Sequence, residues 1–198
     1  MKAQAAVCGL RIEIFYCTFT PFKQAGEFNI LNDVDTIYGR VVMEYSIVRV
    51  NRNNYKMFDA MVFFRINKRE RTKQEQAEIQ SLEIVYEVLD SKNLYVFAAQ
   101  SENKFVGWIS LAYIPKIGRT NGNGHLFIDE LWVSPGFRKR GIANALMTQA
   151  DALSKEINTL GLRLYVNTTN KAAISLYEKF GYANKFGTAL FMEKERVD

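Results

Sequence analysis

The segment Asp129-Glu-Leu-Trp-Val-Ser-Pro-Gly-Phe-Arg-Lys-Arg-Gly-Ile-Ala-Asn-Ala-Leu146 holds residue types whose spacing suggests chemistry. It reads as a strand carrying two carboxylates, then a tight basic turn with a glycine, then an amphipathic helix. Such a turn makes a pocket for an anion with several negative charges. The first backbone N–H groups of a helix have no partners inside the helix, and the helix dipole adds positive potential there. Arg138, Lys139 and Arg140 add full charges, while Gly141 and Ala143 leave room for a diphosphate to approach the main chain. Asp129 and Glu130 are adjacent, so on a regular strand they point to opposite faces and only one faces a substrate. Either is also consistent with an ordinary surface ion pair.

The elements needed to position these groups follow from hydrophobic periodicity. Residues 43–50 alternate well enough for a strand. Residues 54–65 are helix-like, with Tyr55, Phe58, Met61, Val62 and Phe64 on one broad face. A second helix is expected over 73–90, on the spacing of Ile79, Leu82, Val85 and Leu89. Leu94–Ala99 and Phe105–Ile114 make a hairpin about the turn Ser101–Lys104, and Leu126–Val133 a further strand. Ile142, Leu146, Ala150, Leu153 and Ile157 trace a helix stripe to about residue 159. A strand over 162–166 follows, then a helix over 171–180 with Asn170 as N-cap and Gly181 as its stop, then one or two strands near Phe186 and Leu190–Met192. The order βααβββαβαβ describes a mixed α/β sheet with helices on both sides.

The 198 residues suffice for one domain with a sizeable core. The net charge of +5 suits an anionic partner such as a nucleotide cofactor. The basic residues concentrate in two short runs, Arg65–Lys73 and Arg138–Arg140, without interleaved aromatics, so no nucleic-acid partner is expected. The first run also reads as a charged linker. Two cysteines, Cys8 and Cys17, fit a reducing, cytoplasmic setting. The single histidine, His125, cannot build a zinc site alone, and no metal is expected. No apolar run reaches the roughly 20 residues that span a bilayer, and Arg11 and Glu13 interrupt the apolar start too early for a signal peptide, so neither membrane nor export is expected. Residues 1–42 do not share the later pattern. They read as an extension, poorly ordered, accessory or non-native, with Met43 opening the domain that runs over 43–198.

Two motifs resemble the GNAT superfamily of acyl-CoA-dependent N-acetyltransferases. The family's phosphate-binding signature is Arg/Gln-x-x-Gly-x-Gly/Ala, and this chain reads Arg138-Lys-Arg-Gly141-Ile-Ala143. A second signature places an Asn before a short helix that ends near Leu-Tyr-x-x-x-Gly-Phe/Tyr, matched by Asn170 through Leu176-Tyr177 to Gly181-Tyr182. The resemblance covers about residues 43–194 and implies a mixed, mostly antiparallel sheet of six to seven strands flanked by about four helices. It implies acetyl-CoA as cofactor. Main-chain N–H groups from Lys139 through Arg140, Gly141, Ile142 and Ala143 to Asn144 would hold the pyrophosphate, reinforced by the side chains of Arg138, Lys139 and Arg140. The pantetheine arm would lie along Leu131, Trp132 and Val133, where the family's strand bulges and splays from the next, and an amide such as that of Leu131 would face the thioester oxygen as in an oxyanion hole.

In the family a carboxylate frees the amine of its proton and a tyrosine protonates the leaving thiolate. Glu130 is slightly favoured as base for its length and its place near the bulge, with Asp129 the alternative, and Tyr177 is the implied acid. Asn170 would contact the pantetheine or simply cap its helix; Tyr177 is also consistent with core packing. The implied reaction moves an acetyl group from acetyl-CoA to a primary amine of a small molecule by direct attack. A protein N-terminal or lysine acetyltransferase and a non-catalytic acyl-CoA-binding module are the other readings. Homodimers are common in the family.

Overall fold

Strands rich in β-branched and aromatic residues, each with alternate positions turned to opposite sides, generate two apolar surfaces on one sheet. In a computed structural model the chain is described over residues 44–77, 83–118, 123–185 and 187. Five strands are present among them: β1 Ser46–Arg49, β2 Leu94–Ser101, β3 Lys104–Ile114, β4 His125–Val133 and β5 Leu162–Leu164. They pair in sequence order, antiparallel from β1 to β4 and parallel between β4 and β5. The mixed, mostly antiparallel sheet follows the expected order. The strands expected near Phe186 and Leu190–Met192 lie outside the described residues, as do residues 1–42.

The first sheet face packs on helix α4, Ile142–Glu156. Ile109, Leu111, Leu126 and Ile128 meet Ile142, Leu146, Met147, Ala150 and Leu153 there, all of them buried. The second face packs on helix α1, Tyr55–Asn67, through Val96, Ala98, Phe105 and Trp108 against Met61, Phe58 and Val62. Each such large side chain taken from water contributes roughly 1.5–3 kcal/mol, and the two layers fix the sheet between helices as the alternation requires. Two shorter helices, α2 Lys73–Ala77 and α3 Glu83–Leu89, fall within the span expected as one helix; residues 78–82 lie outside the described set. The last helix, α5 Lys171–Lys179, lays Leu176 and Tyr177 against the α4 side of the core.

Helix α4 ends at Glu156 rather than near 159. Asn158 takes a left-handed conformation (φ 52°) and the amide of Thr159 turns back to the Ser154 carbonyl, which closes the helix and directs the chain into β5. Strand β5 is also shorter than expected and stops at Leu164, opposite Ile128. Among the described residues, no helix is long and apolar enough to cross a membrane.

Candidate active site

The chain leaves β4 at Val133 and enters a 3₁₀ turn, Pro135–Phe137, pinned by the Ser134 amide on the Val106 carbonyl (2.8 Å). Proline at the start suits a turn because its φ is already set. Arg138 is extended, and its Nε donates back to the Val133 carbonyl at 3.0 Å, so the guanidinium is held at the strand end. Lys139 (φ 59°) and Gly141 (φ 84°) are both left-handed. That conformation is costly for most residues and cheap for glycine, and alternating handedness is the way successive amides are made to converge on an anion. The first rung of α4 runs from the Ala145 amide to the Gly141 carbonyl at 3.0 Å. The amides of Ile142, Ala143 and Asn144 therefore precede the ladder. They open on a depression of about 180 Å³, walled by Val133, Phe137, Arg138 and Lys139. A Cβ on Gly141 would lie 3.2 Å from the Tyr45 hydroxyl. Lys104, from the start of β3, and Arg140 place their cations 5.4 and 5.8 Å from the Phe137 ring.

Strand β4 carries a bulge at Asp129. Ser110 of β3 pairs with Glu130 and Leu111 with Ile128, so Asp129 is the extra residue. The bulge reverses the alternation. Leu126 and Ile128 face the α4 side before it, and Leu131 and Val133 do so after it. Regular-strand reasoning, which sends Asp129 and Glu130 to opposite faces, thus fails at this point. Asp129 is exposed and its carboxylate has no hydrogen bond or ion pair among the described residues, whereas Glu130 is half-buried on the α1 side. Its amide donates to the Ser110 hydroxyl at 3.1 Å, and its Oε1 accepts from Nη1 of Arg65 at 2.5 Å. The Arg65 guanidinium lies 5.1 Å from the centre of the Trp108 ring, which is 4.9 Å from that of Trp132. Pairing of β4 with β5 ends at Ile128 and Leu164. From Asp129 to Val133 the β5 edge of β4 has no strand beside it among the described residues.

Asn170 caps α5, its Oδ1 accepting from the Ala173 amide at 3.1 Å. Tyr177 packs half-buried against the α4 side of the core, 5.8 Å from the Tyr182 ring. Burial pushes its phenol above the usual 10.0. Tyr182 is shifted the same way, by burial first and then by the Asp151 carboxylate and Tyr177, and its buried oxygen meets no partner among the described residues.

Residues 60–182 match the model of the acetyltransferase (GNAT) family. The chain belongs to the GNAT family of acetyltransferases. The match starts inside α1 and runs through the bulge, the basic turn and α5 to Tyr182. Streptothricin acetyltransferase A of Bacillus subtilis is 28% identical over 104 residues, which are 52% of this chain and 55% of that protein. The chain spans about half, or less, of the length of the curated relatives it matches. Among solved structures, an aminoglycoside acetyltransferase from an uncultured soil metagenomic sample superposes with a TM-score of 0.62 at 19% identity, over 77% of this chain and 97% of that one. AAC(6')-Iy, in complex with the bisubstrate analogue CoA-S-monomethyl-acetylneamine, gives 0.57 at 13%, over 78% and 99%. At such identities these two structures share the fold.

Arg138, Lys139, Gly141, Ile142 and Ala143 of the GNAT signature come together with Val133 around one depression, whose lining does not include Arg140. Leu131, Val133 and Tyr177 border the same sheet face, while Trp132 and Glu130 belong to the α1 side. Three residues near these groups were not singled out as site residues by sequence reasoning. Arg65 was read within a charged linker but closes α1 and reaches Glu130. Trp108 was read as sheet packing and also underlies that pair. Tyr45 carried no sequence signal. The bulge did leave one: apolar positions at 126 and 128 resume at 131 and 133, a step of three where a regular strand has two.

Proposed function

We propose that this GNAT protein transfers an acetyl group from acetyl-CoA to a primary amine of a small molecule by direct attack of the amine. The observation that carries this reading is the set of amides before the first rung of α4, beside a depression that reaches the end of β4 at Val133, next to the open edge of that strand. Glycine at 141 adopts its left-handed backbone without strain, which allows the turn to present its amides to an anion. These residues fit coenzyme A. The amides from Lys139 to Asn144 would hold its diphosphate, and Arg138, Lys139 and Arg140 would add charge at the rim. Leu131, Trp132 and Val133 offer the strand edge for the pantetheine arm, and Asn170 stands at the start of α5.

Bound acetyl-CoA supplies the activated acyl group. The chain's own residues supply the rest. An amine is protonated at neutral pH and cannot attack until a carboxylate takes its proton. We assign that role to Glu130, with Asp129 at the bulge adding negative potential beside it. Tyr177 is assigned as the acid, because burial keeps its Oη protonated through neutral and mildly alkaline pH. Small molecules are favoured as acceptors by the likeness to a streptothricin acetyltransferase and to aminoglycoside acetyltransferases.

A free-thiol release assay with acetyl-CoA against polyamines, aminoglycosides, amino acids and peptides tests the proposal. Thiol release with at least one small amine is the expected result. Tight coenzyme A binding without release for any acceptor would reduce the chain to a binding module, and release with peptides alone would make it a protein acetyltransferase.

A further inference from the structure

Arg65 and Glu130 are separated in sequence by α2, α3, β2, β3 and the first part of β4, yet their side chains meet at 2.5 Å. The guanidinium also lies over Trp108, which is completely buried, and Trp108 in turn packs at 4.9 Å on Trp132. One carboxylate joined to the faces of aromatic rings is a seat for an organic cation. Here that seat is filled from within the chain.

We propose that the box of Glu130, Trp108 and Trp132 binds the primary ammonium of the acceptor, and that Arg65 is a resident cation which the acceptor displaces. The inference rests on the proposed acetyl transfer for the meaning of the site, but not for its cation chemistry. A guanidinium and an ammonium compete for the same carboxylate oxygens. The pair is open to such exchange, since the side chains of Arg65 and Glu130 are 34% and 40% exposed and ion pairs of that exposure hold by only about 0–1 kcal/mol. Arg65 sits in the last turn of α1, where a cation released from Glu130 still meets the favourable end of the helix dipole. Its departure uncovers the Trp108 face, and exposed Asp129 on the neighbouring bulge adds a second negative charge. The arginine thereby sets a threshold: an acceptor must offer a cation that competes with it.

The chain has only two tryptophans, and both belong to this box, so intrinsic fluorescence reads the site directly. The experiment is a titration of the full chain with n-butylammonium chloride at constant ionic strength. Wild type is expected to show a saturable change in emission. Arg65→Gln, which removes the competitor, should bind about two- to fivefold more tightly. Arg65→Lys keeps a charge and should stay near wild type, and Glu130→Gln should weaken binding at least about tenfold. No saturable change in wild type or Arg65→Gln, unchanged or weaker binding in Arg65→Gln, or equal tightening in Arg65→Lys, would each overturn the proposal. Coenzyme A affinity of the same proteins, measured by calorimetry, should be unaltered by Arg65→Gln. Failure of wild type to bind coenzyme A would sink the acetyl-transfer reading while leaving the ammonium result to stand by itself.

Discussion

Replacing Gly141 with aspartate, and separately with asparagine, isolates the charge that the basic turn is built to receive. The two side chains have nearly the same shape, and both tolerate left-handed backbone better than most residues. Gly141 has φ 84° and an added Cβ would approach the Tyr45 hydroxyl to 3.2 Å, so either variant must shift that phenol by a few tenths of an ångström. The shared cost is about 1–2 kcal/mol of stability, a fall of about 2–8 °C in Tm for a chain of this size. The difference between the variants is electrostatic. A carboxylate about 5 Å from a phosphate charge costs about 1–3 kcal/mol, for effective dielectrics between water and a protein surface, and a diphosphate carries more than one such charge. Asparagine should weaken coenzyme A binding modestly, and aspartate at least about tenfold further. The gap should narrow as salt is raised. Isothermal calorimetry with coenzyme A at low and high salt, beside thermal melts, measures both parts. Equal affinities for the two variants would refute the reasoning, because a phosphate held by amides 139–144 cannot ignore a carboxylate on that turn.

Other consequences follow from the same geometry. Glu130→Gln should lower kcat/KM by about 100-fold or more, while Asp129→Asn, exposed on the bulge, should stay within about tenfold; the reverse order in steady-state kinetics would move the base to Asp129. Tyr177→Phe should cut kcat by about 100-fold with coenzyme A affinity unchanged, and an equal loss of affinity would mark the residue as packing alone. Tyr45, Tyr55, Tyr177 and Tyr182 are all shifted above 10.0 by burial. The folded chain therefore retains protons that the unfolded chain releases, so the tyrosines' contribution to stability should be level below about pH 10 and fall as pH rises beyond it; urea melts at pH 8, 10 and 11 check the sign. Asn170→Ala should remove about 1 kcal/mol of stability through the lost cap, visible as a drop in Tm.

Much of the fold and the turn was legible because their signals are local. The stripe from Ile142 to Leu153 needs only helical spacing, and the Arg138–Ala143 motif carries its own geometry in glycine and charge. Asn170 announces its cap by type and position. What escaped depends on contacts between distant segments. Arg65 looks like the start of a charged linker until α1 is laid on the sheet, because nothing in 65–73 encodes the position of Glu130. Tyr45 reaches Gly141 across the core for the same reason. The facing of Asp129 and Glu130 depends on a bulge; alternation rules assume its absence, and the three-residue apolar step that betrays it is a faint mark. Strand β5 ends opposite Ile128, just before the bulge of β4, a boundary set by pairing rather than by the composition of residues 162–166.

The central claim, that the amides opening α4 grip the cofactor's diphosphate, is tested most directly by a crystal structure with coenzyme A. Density for the diphosphate should lie against residues 139–144, with the pantetheine arm running beside Leu131, Trp132 and Val133 toward Tyr177. Density elsewhere, or main-chain groups at 139–144 closed over by side chains, would contradict the account.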